Sequence, residues 1–136
     1  MKVKRFYIVR SIGDLIQFHK AHPEKENMAI ITISDRDYGY DFHPTPHYSF
    51  SFKDVFNGEK GFITTREAMR ISDIIPELHD KQLICVACDA GISRSPAVAM
   101  AIADQLGDEK EKQNIKYTHP HFNLSIYEFI KETIKS

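Results

Sequence analysis

The sequence has no tryptophan and only two cysteines, Cys85 and Cys88, so no disulfide framework can be built and both are read as reduced thiols. Long apolar runs are also missing. The longest, Ala97 to Ala103, is far too short to span a bilayer. Neither sign of charge dominates: 18 Lys and Arg stand against 19 Asp and Glu, for a net charge of -1. That balance excludes a nucleic-acid coat protein but leaves room for a local basic pocket. The stretch Met1 to Arg10 starts basic, yet Arg10 interrupts it before any signal-peptide core forms. No repeat, low-complexity tract or linker divides the chain. The expectation is one domain over residues 1–136, intracellular and cytoplasmic, without a membrane span. A chain of 136 residues, 42% of them hydrophobic, can bury roughly two thirds of its unfolded surface without staples.

What is present is an alternation of short apolar runs with helical patterns. Phe6 to Val9 reads as a strand, and Ser11 caps a helix with Ile12, Leu15, Ile16 and His19 on one face. Ala21 to Asn27 is a polar loop. Met28 to Ile33 is a buried strand, apolar and rich in β-branched residues. Asp35 to Pro46, with Gly39, Pro44 and Pro46, is irregular, and His47 to Phe52 alternates as a third strand with one buried face. Thr64 and Glu67 form a capping box ahead of Ala68, Ile71, Ile75 and Leu78, a helix that Pro76 should end or kink. Gln82 to Ala87 is a fourth strand. Pro96 suits a first helical turn, Ala97 to Ala103 is apolar all round and so central, and Gly107 stops that helix. Asp108 to Lys116 is a short polar helix or loop. Asn123 or Ser125 caps a last helix that buries Tyr127, Ile130 and Ile134. Strands alternating with helices predict an α/β fold: a central, mostly parallel sheet of four to five strands flanked by helices.

The chemistry lies after the fourth strand. A buried strand ends at Cys88, a five-residue loop follows, and Arg94 opens the apolar helix. That geometry makes an anion site. Backbone N–H groups of Asp89, Ala90, Gly91, Ile92, Ser93 and Arg94 point into one concavity, and the helix dipole adds positive potential. Gly91 supplies the backbone freedom of a tight cradle, and Arg94 offers a planar fork that matches two oxygens of a phosphate or arsenate. A cysteine at the mouth of such a cradle is favoured as its thiolate. A thiolate nucleophile in an oxyanion cradle implies attack on a tetrahedral oxyanion, above all a phosphate monoester.

Cys88-x5-Arg94-Ser95 resembles the signature of the cysteine-dependent protein tyrosine phosphatases, and the string Cys-Asp-Ala-Gly-Ile-Ser-Arg-Ser-Pro is similar to the dual-specificity branch and its compact bacterial or viral members. The resemblance implies a protein-tyrosine-phosphatase-like fold and a metal-free reaction without cofactor. Cys88 would form a phosphocysteine intermediate, Arg94 would hold the phosphoryl oxygens, Gly91 would shape the loop, and Ser95 would stabilise Cys88 as leaving group. In this family an aspartate some thirty-odd residues before the nucleophile protonates the leaving oxygen. Asp54, directly after the third strand and between apolar residues, matches that position. Its rivals are Asp35, Asp37, Asp41 and Glu59. The chain departs from the family in one place: Ala87 stands where a histidine usually precedes the nucleophile. That histidine orders the loop and its thiol.

The substrate implied is a phosphorylated protein or another phosphate monoester, with phosphotyrosine first and phosphoserine or phosphothreonine beside it. Phosphoinositides, nucleotides and RNA 5′-phosphates share that chemistry, and the sequence does not specify an oligomeric state. The alternative from another class is a non-catalytic phosphate-binding module built on the same cradle. A sulfurtransferase or arsenate reductase is a weaker third reading. Cys85 and Cys88 also spell C-x-x-C, but Cys85 lies inside the strand and is read as core. His43 with His47, and His119 with His121, lie in proline-broken segments without a completing ligand and are read as loop residues rather than metal ligands. Lys53, Lys60, Arg66 and Arg70 either draw an acidic substrate towards the site or form a solvated face. Tyr38, Tyr40 and Phe42 either wall the pocket or pack over the sheet.

Overall fold

The computed structural model describes residues 4–22 and 27–135. Its elements run β1 (Phe6–Ser11), α1 (Ile12–Ala21), β2 (Met28–Ile33), β3 (His47–Phe50), α2 (Thr65–Leu78), β4 (Leu83–Cys88), α3 (Arg94–Leu106), α4 (Glu109–Thr118) and α5 (Leu124–Lys135). The expected loop from Ala21 to Asn27 lies outside the described residues over 23–26.

The four strands form one sheet in the order β1-β4-β2-β3, every pair parallel. Composition explains the order. β2 (MAIITI) and β4 (LICVAC) are apolar on both faces and take the two inner places. β1 and β3 carry polar residues and take the edges. One face of the sheet packs against α2, α3 and α5, with Ile115 of α4 joining that core. On the other face Ile12, Leu15 and Ile16 of α1 pack with Phe42 and Tyr40 of the irregular segment. The period of two along β4 therefore separates its cysteines: Cys88 faces the α3 side and Cys85 the α1 side.

Two expectations shift, and one open alternative is decided. β3 ends at Phe50, not Phe52, because its single partner β2 ends at Ile33 and offers nothing further to pair with. Phe52 stays buried all the same, and Lys53 N–H turns to Gly61 O at 2.8 Å. α2 passes through Pro76 and stops at Leu78. A helical proline costs about 3 kcal/mol. Burying Ile75 and Leu78 in the last turn returns roughly 1.5–3 kcal/mol each, so packing outweighs the lost hydrogen bond. At α5 the cap is Asn123 rather than Ser125: its Oδ1 accepts the Ile126 N–H at 3.0 Å. The buried face there is Ile126, Tyr127 and Ile130, with Ile134 half-buried. The capping box at Thr64 and Glu67, the Ser11 cap and the left-handed Gly107 (φ 77°) after α3 all form as the sequence expects.

A buried ion pair joins the start of β1 to the α3–α4 corner. Arg5 Nε donates to Asp108 Oδ2 at 2.7 Å and Arg5 Nη2 to Leu106 O at 3.0 Å, with both charged side chains almost fully enclosed. The Tyr7 hydroxyl also donates to Asp108 Oδ2 at 2.7 Å; burial first, then that carboxylate, push its ionisation upward. Removing one partner strands the other charge. Arg5→Ala should lower unfolding free energy by about 3–5 kcal/mol in urea titration, and a loss below about 1 kcal/mol would mean Asp108 is reached by water.

His19 is the second buried polar anchor. It is 3% exposed, with Nδ1 2.6 Å from Tyr40 Oη and Nε2 3.1 Å from Thr45 Oγ1. Burial holds its imidazole below the usual histidine range. His47 is lowered likewise by burial, with Asp41 opposing. As pH falls below about 6.5 the unfolded chain binds protons that the folded pocket resists, so stability should drop from pH 7 towards pH 5. His19→Gln should flatten that slope by up to about 1.4 kcal/mol per pH unit; an unchanged slope would place the proton uptake elsewhere.

Candidate active site

In an all-parallel sheet the loops that leave the carboxyl ends of the strands collect at one edge and form its binding crevice. Here those ends are Ser11, Ile33, Phe50 and Cys88. Loop 89–93 lies directly over the end of β1. A Cβ on Gly91 would sit 2.3 Å from Ser11 N and 2.4 Å from Arg10 C, and its φ is 75°. Both space and conformation therefore require glycine at that position.

Cys88 is 2% exposed. Its Sγ accepts the Gly91 N–H at 3.2 Å and the Ser95 N–H at 3.4 Å, and it lies 3.2 Å from Ser95 Oγ. Negative charge on this sulfur would be met by three donors held in place by the loop and by the first turn of α3. Ser93, at the N-cap, makes no side-chain cap bond. The N-terminal end of α3 thus presents its positive potential to the crevice without a side-chain cap.

Arg94 is positioned by two acceptors. Its Nη1 donates to Phe52 O at 2.8 Å, and its Nη2 to Asp89 Oδ2 at 2.9 Å. Asp89 is gripped on its other oxygen, where Oδ1 accepts from Ser34 Oγ at 2.6 Å and from Tyr38 Oη at 2.5 Å. Burial raises the Asp89 carboxyl, but those two hydroxyls and Arg94 together hold it below the usual carboxylate range. Burial and the hydrogen bond to Asp89 raise the Tyr38 phenol.

Asp54 stands exposed on the loop after β3, with Oδ1 accepting from Ser93 Oγ at 2.7 Å and from Asn123 Nδ2 at 2.9 Å. Asn123 also donates to Val55 O at 3.0 Å, and its own N–H reaches Ser93 O at 3.0 Å. One asparagine thus ties the start of α5 to the Asp54 loop and to the end of the cradle. Three rivals of Asp54 close turns of their own: Asp37 accepts the Gly39 N–H, Asp41 the His43 N–H and Glu59 the Phe56 N–H.

Other singled-out residues lie elsewhere or serve packing. Tyr38 reaches the cradle, while Tyr40 and Phe42 stack around His19 on the α1 face. Arg70 lies over Phe50 and donates to Ser49 O. His47 Nε2 is 2.7 Å from Thr32 Oγ1. Among the described residues no group of three or more His, Cys, Asp or Glu could hold a metal ion, and no helix is long and apolar enough to cross a membrane. Ala87 points away from Cys88 into the α1-side core, fully buried, and its β2 register partner is Thr32. Sequence reasoning missed Ser34 and the Phe52 carbonyl, and it named Tyr38 only as a candidate pocket wall and Asn123 only as a candidate helix cap. A carboxylate inside an anion cradle was the available signal, since Asp89 there demands a cation and donors.

No family model matches the sequence, and no curated protein matches it. The fold, by contrast, is shared with solved phosphatases. DUSP15 superposes with a TM-score of 0.67 at 17% identity, over 97% of this chain and 85% of that one. PTPMT1 gives 0.62 at 17% identity, over 98% and 92%. OH1 from the Orf virus, described as a tyrosine phosphatase with triple substrate specificity, gives 0.52 at 15% identity, over 99% and 84%. The chain has the α/β fold of the cysteine-dependent tyrosine and dual-specificity phosphatases.

Proposed function

We propose that this chain is a cysteine-dependent phosphatase that hydrolyses phosphotyrosine monoesters, with phosphoserine and phosphothreonine substrates of the same chemistry. One observation carries the reading: the Cys88 sulfur receives two backbone N–H groups at the base of a loop that ends in Arg94. The shared fold supports it. Cys88, as thiolate, attacks phosphorus in line; a P–S bond forms as the P–O bond to the leaving group breaks. Arg94 and the cradle N–H groups of residues 89–94 other than Gly91, whose N–H the sulfur accepts, carry the charge on the phosphoryl oxygens, the part a metal would otherwise play. Asp54 gives its proton to the leaving oxygen. It then takes one from the water that splits the phosphocysteine, while Ser95 Oγ, 3.2 Å from the sulfur, stabilises the departing thiolate. Ile92, beside Ser93, and Phe56, two residues after Asp54, are 57% and 66% exposed and suit a flat aromatic leaving group.

Release of p-nitrophenol from its phosphate ester tests the reading. Cys88→Ser should abolish turnover and still bind phosphate, and Arg94→Lys should lose most activity because a point charge cannot replace the fork. A wild type that binds phosphate without turnover would leave the binding module instead.

Asp54→Asn should lower kcat on phosphotyrosine by about 10²–10⁴ and flatten the basic limb of the pH profile. The loss should shrink with better leaving groups. Unchanged kcat would move the acid to Asp35, Asp37, Asp41 or Glu59. Vanadate should compete at low concentration and EDTA should have no effect; activity lost on chelation and restored by a divalent ion would overturn the proposed division of labour.

A further inference from the structure

A carboxylate one residue after the nucleophile is an anomaly in a site built for anions. Asp89 places negative charge where a phosphate is to bind, and taken alone it weakens that binding. Its placement is nonetheless well supported. Oδ2 holds Arg94 Nη2 at 2.9 Å, and Oδ1 is held by Ser34 Oγ at 2.6 Å and Tyr38 Oη at 2.5 Å. Arg94 Nη1 is fixed in turn by Phe52 O at 2.8 Å. The guanidinium is thus tied at both terminal nitrogens, by acceptors from two different loops. Each bond uses one N–H, and the remaining N–H groups of the fork are left for a phosphate.

We infer that Asp89 is a positioning residue for Arg94, clamped through Ser34 and Tyr38, so that segment 34–46 sets the angle at which the guanidinium meets the phosphoryl group. The inference rests on the phosphatase reading and goes beyond it, because it makes residues outside the cradle determinants of rate. A fixed fork helps most where its geometry is most demanding, at the five-coordinate transition state. The same carboxylate repels the bound ground state. Rate and ground-state affinity should therefore move in opposite directions when it is removed, which loss of a merely structural contact would not do.

The test uses the full chain, with folding of each variant checked by thermal melting. Inorganic phosphate serves as the ground-state probe, vanadate as the five-coordinate one, and p-nitrophenyl phosphate reports turnover. Asp89→Ala should lower kcat by about tenfold or more, the scale of one charge-assisted hydrogen bond. It should bind phosphate at least as tightly as the wild type, and its ratio of vanadate to phosphate affinity should fall. Tyr38→Phe keeps the ring and removes one donor. It should lower kcat by about two- to tenfold with KM unchanged, and it carries the test if Asp89→Ala does not fold. Two results would overturn the inference: kcat within about twofold of wild type in both variants, or a parallel loss of phosphate affinity, vanadate affinity and kcat. A wild type without turnover would sink the phosphatase reading, and the vanadate-to-phosphate ratio, which needs no turnover, would still decide the role of Asp89.

Discussion

The crevice depends on one approach of backbone to backbone. Gly91 lies so near the Arg10–Ser11 peptide that no side chain could stand there, and this contact seats loop 89–93 on the end of β1. With the loop seated, the Gly91 N–H and the Ser95 N–H of the first turn of α3 converge on the Cys88 sulfur, and Arg94 bonds the loop's own Asp89. The approach requires β1 and β4 to be parallel neighbours in register, with Ser11 beside Cys88. Sheet order, helix start and cradle are consequently one constraint. β1, an edge strand, is secured from its other end by the enclosed Arg5–Asp108 pair.

Around that frame the charges are arranged in pairs rather than as a basic field. Arg94 is balanced by Asp89, and Asp54 is held by the neutral donors Ser93 and Asn123. A net charge near zero for the whole chain fits this economy: the proposed anion site would rely on aimed N–H groups and one guanidinium, not on long-range attraction. Of the cations that the sequence offers near the site, Arg70 lies over Phe50 and bonds Ser49 O. Ala87 belongs to the same pattern. The position before Cys88 faces the α1-side core, where Thr32 of the neighbouring β2 brings a hydroxyl bonded to His47 of β3 and the chain places an apolar residue.

The most legible features were those with a strong local cause. Met28–Ile33 matched its strand to the residue because an inner strand of a parallel sheet is apolar throughout, and Thr64 with Glu67 marked a helix start because a capping box is a local bond pattern. Boundaries decided by neighbours were less legible. His47 to Phe52 alternates over its whole length, yet only the part opposite β2 became strand. Pro76 is a helix breaker in isolation and lost to the burial of Ile75 and Leu78.

At the site the division has the same origin. Cys88, Gly91, Arg94 and Ser95 lie within eight consecutive residues, so their spacing and the strand-loop-helix context were enough to suggest the proposed anion cradle and its nucleophile. The sequence by itself determined the strand-loop-helix motif from Cys88 to Ser95, the mostly parallel α/β class and the buried character of Met28–Ile33, because each follows from local bonding or from periodicity. Only the tertiary structure decided which residues hold the cradle: Ser34, Tyr38, Phe52 and Asn123 come from three other segments and reach it through hydrogen bonds that span 42 to 69 residues. Nothing in local spacing encodes such contacts. They exist because the parallel sheet delivers every one of its carboxyl-end loops to the same edge.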